Sequence, residues 1–72
     1  MSITLEKQEA ILLFLYCGDN RSETIRNLRE MQTHLHADEQ DLRQMANSLI
    51  RKLQEIRDKD FASVLALADA AV

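Results

Sequence analysis

The run Ala10-Ile11-Leu12-Leu13-Phe14-Leu15-Tyr16-Cys17 is apolar without a break. Wound into a helix, it carries apolar side chains on every face, and such a helix is normally surrounded by protein. It is too short to cross a bilayer, which takes about 20 apolar residues. A chain of 72 residues must therefore cover it within a core or against a partner. A domain of this size buries only about 60% of the surface its unfolded form exposes, so its stability margin is thin. Small folds usually gain a further tie from disulfides, a metal or another subunit. Cys17 is the only cysteine, so no internal disulfide is available. Within an apolar run its thiol is expected to be a small buried hydrophobe, not a reactive group.

The rest of the chain reads as helix. Ser2 or Thr4 is the expected cap of helix one, with Glu6 and Glu9 favouring the positive pole of its dipole. Leu5, Ile11, Leu12 and Leu15 share one broad face, widened by Leu13, Phe14, Tyr16 and Cys17. Gly18 is expected to end the helix in a left-handed conformation. Asn20 and Glu23 have capping-box spacing. Ile25, Leu28, Met31 and Leu35 then form a narrow stripe, with Gln32 as an exception, and Arg21 falls on the wet side. Asp38 is the next cap. Leu42, Met45, Ala46, Leu49, Ile50, Leu53 and Ile56 give the cleanest amphipathic stripe. A break is expected at Asp58-Lys59-Asp60, because capping residues cluster there and a continuous helix would carry Phe61 and Leu65 beyond the reach of helix two; one long helix three running to about Asp69 is the alternative. The expected fold is an all-α, compact bundle of three long helices and a short C-terminal fourth, in one domain over residues 1–72. The helices span about 4–17, 21–35, 39–57 and 60–69.

Charge narrows the function classes. The net charge is −3, which argues against strong non-specific nucleic-acid binding. Both ends are acidic; the middle, 21–59, balances to +1 and reads as a solvated surface. No basic leader precedes the apolar run, and the absence of paired cysteines fits a reducing cytoplasm. The sequon Asn20-Arg21-Ser22 carries no weight without secretion. His34 and His36 stand on different helical faces and cannot jointly clamp a metal; Glu30 and His34 have helical spacing but lack a third ligand. No catalytic set or phosphate loop is visible, and a chain this small has little room for a substrate pocket. The expectation is no enzyme, no cofactor, no metal and no small-molecule substrate.

Two contact surfaces remain. Arg43, Asn47, Arg51 and Arg57, with Gln54, lie along one strip of helix three, and arginine with amides is the vocabulary of base readout. Against this, helix one and the tail carry more apolar surface than two amphipathic stripes can cover. Leu13, Phe14, Tyr16, Val64, Leu65 and Leu67 are the candidate self-association residues. Surplus apolar surface marks a partner site, and a two-fold homodimer is its commonest form. A homodimer is therefore expected ahead of an unidentified protein partner, with nucleic acid the alternative.

The stretch Ala37-Asp38-Glu39-Gln40 is similar to the turn of the Rop family of RNA-binding helical hairpins. Gly18-Asp19-Asn20 interrupts what would have to be one continuous first helix there, so only the turn is shared. A wider resemblance covers residues 3–65. It rests on Lys7-Gln8 opening an apolar helix, then Tyr16-Cys17-Gly18-Asp19-Asn20-Arg21, Thr24-Ile25-Arg26-Asn27-Leu28, Leu53-Gln54-Glu55-Ile56 and Asp58-Lys59-Asp60-Phe61. These residues resemble small accessory proteins of conjugative transposons from gut bacteria. The resemblance implies a mobile-element origin and brings no functional residues with it.

Overall fold

A computed structural model describes residues 4–71; Ser2, one of the two expected caps, lies outside them. Among the described residues the chain is all-α, with no strand: α1 (Lys7–Leu15), α2 (Arg21–Gln32), α3 (Gln40–Glu55), a 3-10 turn (Asp58–Asp60) and α4 (Phe61–Ala71).

α1 begins at Lys7, not Thr4. Glu6 takes the extended N-cap position, and its N–H donates to Glu9 Oε1 at 3.0 Å. The helix stops at Leu15, with the Tyr16 N–H closing on the Leu12 carbonyl. Cys17 therefore lies past the helix end and is exposed, not buried. The turn that follows is held from α2. Asn27 Nδ2 donates to the Tyr16 carbonyl at 3.1 Å, and the Gly18 N–H donates to Thr24 Oγ1 at 2.9 Å.

Gly18 is not left-handed; no described residue has a positive φ. Glycine is needed there for space. A Cβ on Gly18 would fall 2.7 Å from Glu23 Cγ and 2.8 Å from Glu23 Cβ, and atoms so near the backbone cannot swing away. Gly18→Ala is expected to cost about 1–3 kcal/mol through overpacking, read as a lower urea midpoint. An unchanged midpoint would show that the turn yields freely.

Asn20 Oδ1 accepts from the Glu23 N–H at 2.8 Å, the forward half of the expected capping box. The reciprocal bond is not made among the described residues, because Glu23 lies over Gly18. α2 buries Ile25, Leu28 and Met31 as its stripe predicts, and Thr24 beside them. It ends at Gln32, where Thr33 Oγ1 turns back to the Glu30 carbonyl. Asp38 does not cap α3: Glu39 occupies the N-cap, and its Oε1 accepts from the His36 N–H.

α3 buries Ala46, Leu49, Ile50 and Leu53, then stops at Glu55. Ile56 and Arg57 are extended, with ψ of 164° and 163°, so the break falls where the aspartates cluster. The reason for it differs from the expectation. α4 packs along α1, not α2; α2 and α1 each pack on α3. Leu13, Leu28, Leu49 and Leu53 are fully buried, and Val64 nearly so. All four helices thus meet in one core.

Candidate functional site

α1 divides its apolar run between two faces. Glu9, Ala10, Leu12 and Leu13 point inward. At about 100° per residue, Lys7, Ile11 and Leu15 form a ridge on the opposite side, with Phe14 beside it. Ile11 is 40% exposed, Phe14 44% and Leu15 70%. The run is greasy all round, and the fold covers only half of it.

Next to this ridge lies an open groove of about 490 Å³ between α1 and α3, lined by Gln8, Ile11, Leu12, Leu15, Asp41, Leu42 and Met45. The two helices run antiparallel. Lys52, late in α3, donates to the Thr4 carbonyl and to Glu9, both at 2.7 Å, at the start of α1. The beginning of α3, Asp41 and Leu42, shares the groove with the later half of α1.

The structure sorts the candidate self-association residues. Leu13 and Val64 are sealed in the core and cannot meet a partner. Tyr16 and Leu65 are half-buried against it. Phe14 and Leu67 are each 44% exposed. Sequence reasoning missed Ile11 and Leu15 as surface residues, because a run without polar interruption carries no phase.

The basic strip is also divided. Gln32 Nε2 donates to the Arg43 carbonyl at 3.2 Å and to Asn47 Oδ1 at 2.8 Å, and Arg43 Nη2 reaches the Leu35 carbonyl at 3.5 Å. Arg43 and Asn47 therefore fasten α2 to α3. The oddity of Gln32 within its stripe was the signal for that joint. Arg51 and Arg57 are exposed. Arg21, read as solvated, instead ties α2 to the end of α3: it donates to Asp58 Oδ1 at 2.8 Å and to the Leu53 carbonyl at 2.9 Å.

A buried polar cluster anchors the inner side of α1. Glu9 is 2% exposed. Its carboxylate accepts from Lys52, Ser48 and the Glu6 N–H at 2.7, 3.0 and 3.0 Å. Burial alone raises its pKa, but the hydrogen bonds from Lys52, Glu6 and Ser48 and the Lys52 charge outweigh that and hold it below the ordinary value. With no described buried side-chain polar atom left unpartnered, the cluster is a closed structural tie. A second groove, about 340 Å³, is lined by Tyr16, Asn27, Glu30, Met31 and His34. No group of three or more metal-ligating side chains gathers there or elsewhere among the described residues. No described helix is long and apolar enough to cross a membrane.

Residues 4–68 match the family model TTRAP, described as "Putative transposon-transfer assisting protein". The chain belongs to this family. The likeness to transposon accessory proteins read from the sequence is thereby borne out at family level. No curated protein and no solved structure matches the chain. The TTRAP match runs across all of α1, α2 and α3 and most of α4, so the α1 face and its groove lie within the family region.

Proposed function

We propose that this TTRAP-family chain is a non-enzymatic, cytoplasmic accessory of transposon transfer that works by protein contact, and that its first contact is a second copy of itself. The carrying observation is the outer face of α1, where Ile11, Phe14 and Leu15 stand exposed together. Contiguous apolar surface on a small protein marks an interaction site, and closed two-fold dimers are its commonest outcome. We read the four helices as a compact bundle beneath that face. A radius of gyration of 11.5 Å supports this, against about 11 Å for a compact chain of this length. Nucleic-acid contact through Arg43, Asn47, Arg51 and Arg57 has less support, since the first two are engaged in packing α2 on α3.

Introducing charge into the face tests the reading. Leu15→Glu with Phe14→Glu is expected to leave the helical circular dichroism unchanged, because both side chains point outward. Light scattering should then show the wild type associating at high micromolar concentration and the double variant remaining monomeric. A variant that associates like the wild type would remove the α1 face from the account.

A further inference from the structure

The outer face of α1 also carries a charge pattern. Lys7 is the only basic residue in positions 1–20. It is exposed and stands one helical turn before Ile11, on the same ridge as Leu15. The other end of α1 is electronegative. Its last turn carries no basic residue, so α1 supplies no cation of its own to offset the negative pole there. Asp41 lines the groove beside Leu12 and Leu15, is exposed, and makes no ion pair among the described residues. Glu6, the neighbour of Lys7, faces the polar cleft with Glu9, Ser48 and Lys52, and Asp41 borders that cleft as well as the groove.

We infer that α1 pairs with α1 of a second copy in antiparallel orientation, across a two-fold axis near Ile11, so that Lys7 of each chain lies over Asp41 and the helix end of the other. The inference rests on the self-association reading and names its geometry. The ridge Lys7-Ile11-Leu15 has the four-residue spacing that packs into the matching groove of another helix, with axes about 8–10 Å apart. In a two-fold pair, a contact of residue i with residue j is repeated as j with i, so one charge contact occurs twice. A parallel pair would instead bring Lys7 against Lys7 and set the two negative helix ends side by side. Like charges facing each other across an interface suppress that arrangement. Antiparallel pairing satisfies both ends and lays Leu15 of each copy along the partner's Lys7–Ile11 segment, toward its open groove.

A charge swap tests the geometry. Lys7→Glu and Asp41→Lys, each alone, should weaken the dimer by roughly tenfold, since each places like charges at two symmetric points. The double variant Lys7→Glu/Asp41→Lys should recover most of the wild-type affinity, and the losses should shrink at high salt. Sedimentation equilibrium at low and high salt gives these dissociation constants. Both positions involved are on the surface, and circular dichroism confirms the fold of each variant. If the wild type dimerises but the double variant is no tighter than the single variants, the antiparallel geometry is overturned while self-association stands. If the wild type remains a monomer, the self-association reading itself falls and the geometry with it.

Discussion

Leu13→Ala lowers the unfolding free energy by about 3 kcal/mol, whereas Leu15→Ala, two residues away, changes that of the monomer by less than about 1 kcal/mol. Leu13 is fully buried at the centre of α1, in the core shared with Val64 and Ala68 of α4 and Leu49 and Leu53 of α3. Truncating it loses the transfer of its methyl groups from water and leaves a cavity in the core that α1 shares with α3 and α4. Leu15 is 70% exposed, so there is little buried surface to lose. A 72-residue domain has a total stability of about 4–11 kcal/mol, and a loss of 3 shifts a large part of it. Urea denaturation at low micromolar concentration, where the monomer dominates, gives both values. Equal losses at the two positions would mean that the division of α1 into inner and outer faces is wrong.

Lys52→Met destabilises the fold by about 2 kcal/mol at neutral pH. This is less than the 3–5 typical of a fully buried pair, because Lys52 is partly solvated. The substitution leaves Glu9, only 2% exposed, with Ser48 and the Glu6 N–H but no counter-charge. The pH dependence carries the sharper signature. In the fold the Glu9 carboxyl sits below its ordinary value, so the folded state binds its proton less readily than the unfolded chain does. The resulting stability is fully present above the unfolded carboxylate pKa of about 4.3. It is lost as pH falls from there through the lower folded value. In Lys52→Met the burial of Glu9 is opposed by fewer favourable contacts, so acid should cost this variant less than it costs the wild type. Glu9→Leu/Lys52→Met should regain much of the loss, since an apolar pair needs no mutual neutralisation. Urea midpoints from pH 3 to 7 read all three chains. Parallel pH profiles for wild type and Lys52→Met would contradict the assignment of Glu9 to this tie.

The amphipathic helices were the most legible part of the sequence. Ile25, Leu28 and Met31, and then Ala46, Leu49, Ile50 and Leu53, recur at steps of three and four, which fixes both a helix and its buried face. The aspartates at 58 and 60 marked the break before α4. α1 was legible as a helix but not in orientation, because a segment apolar on all sides has no period to say which residues face inward. What sets its rotation lies far away in sequence: Ser48 and Lys52 grip Glu9, and α4 packs along α1. A glutamate in a first turn reads as a dipole group, and nothing local says it is buried. Arg21 and Asp58 are hidden for the same reason, as are Arg43 and Asn47, whose spacing suits a wet strip as well as a joint beneath Gln32. The surface left over on α1 is the consequence of that rotation, which is why Ile11 and Leu15 emerged only from the three-dimensional arrangement.

Sedimentation equilibrium of the unmodified chain, from low to high micromolar concentration, decides whether the outer face of α1 joins two copies. If α1 pairs with a second copy, the mass climbs from 8.3 kDa toward twice that value as concentration rises. A mass that stays at 8.3 kDa throughout the range would contradict that pairing.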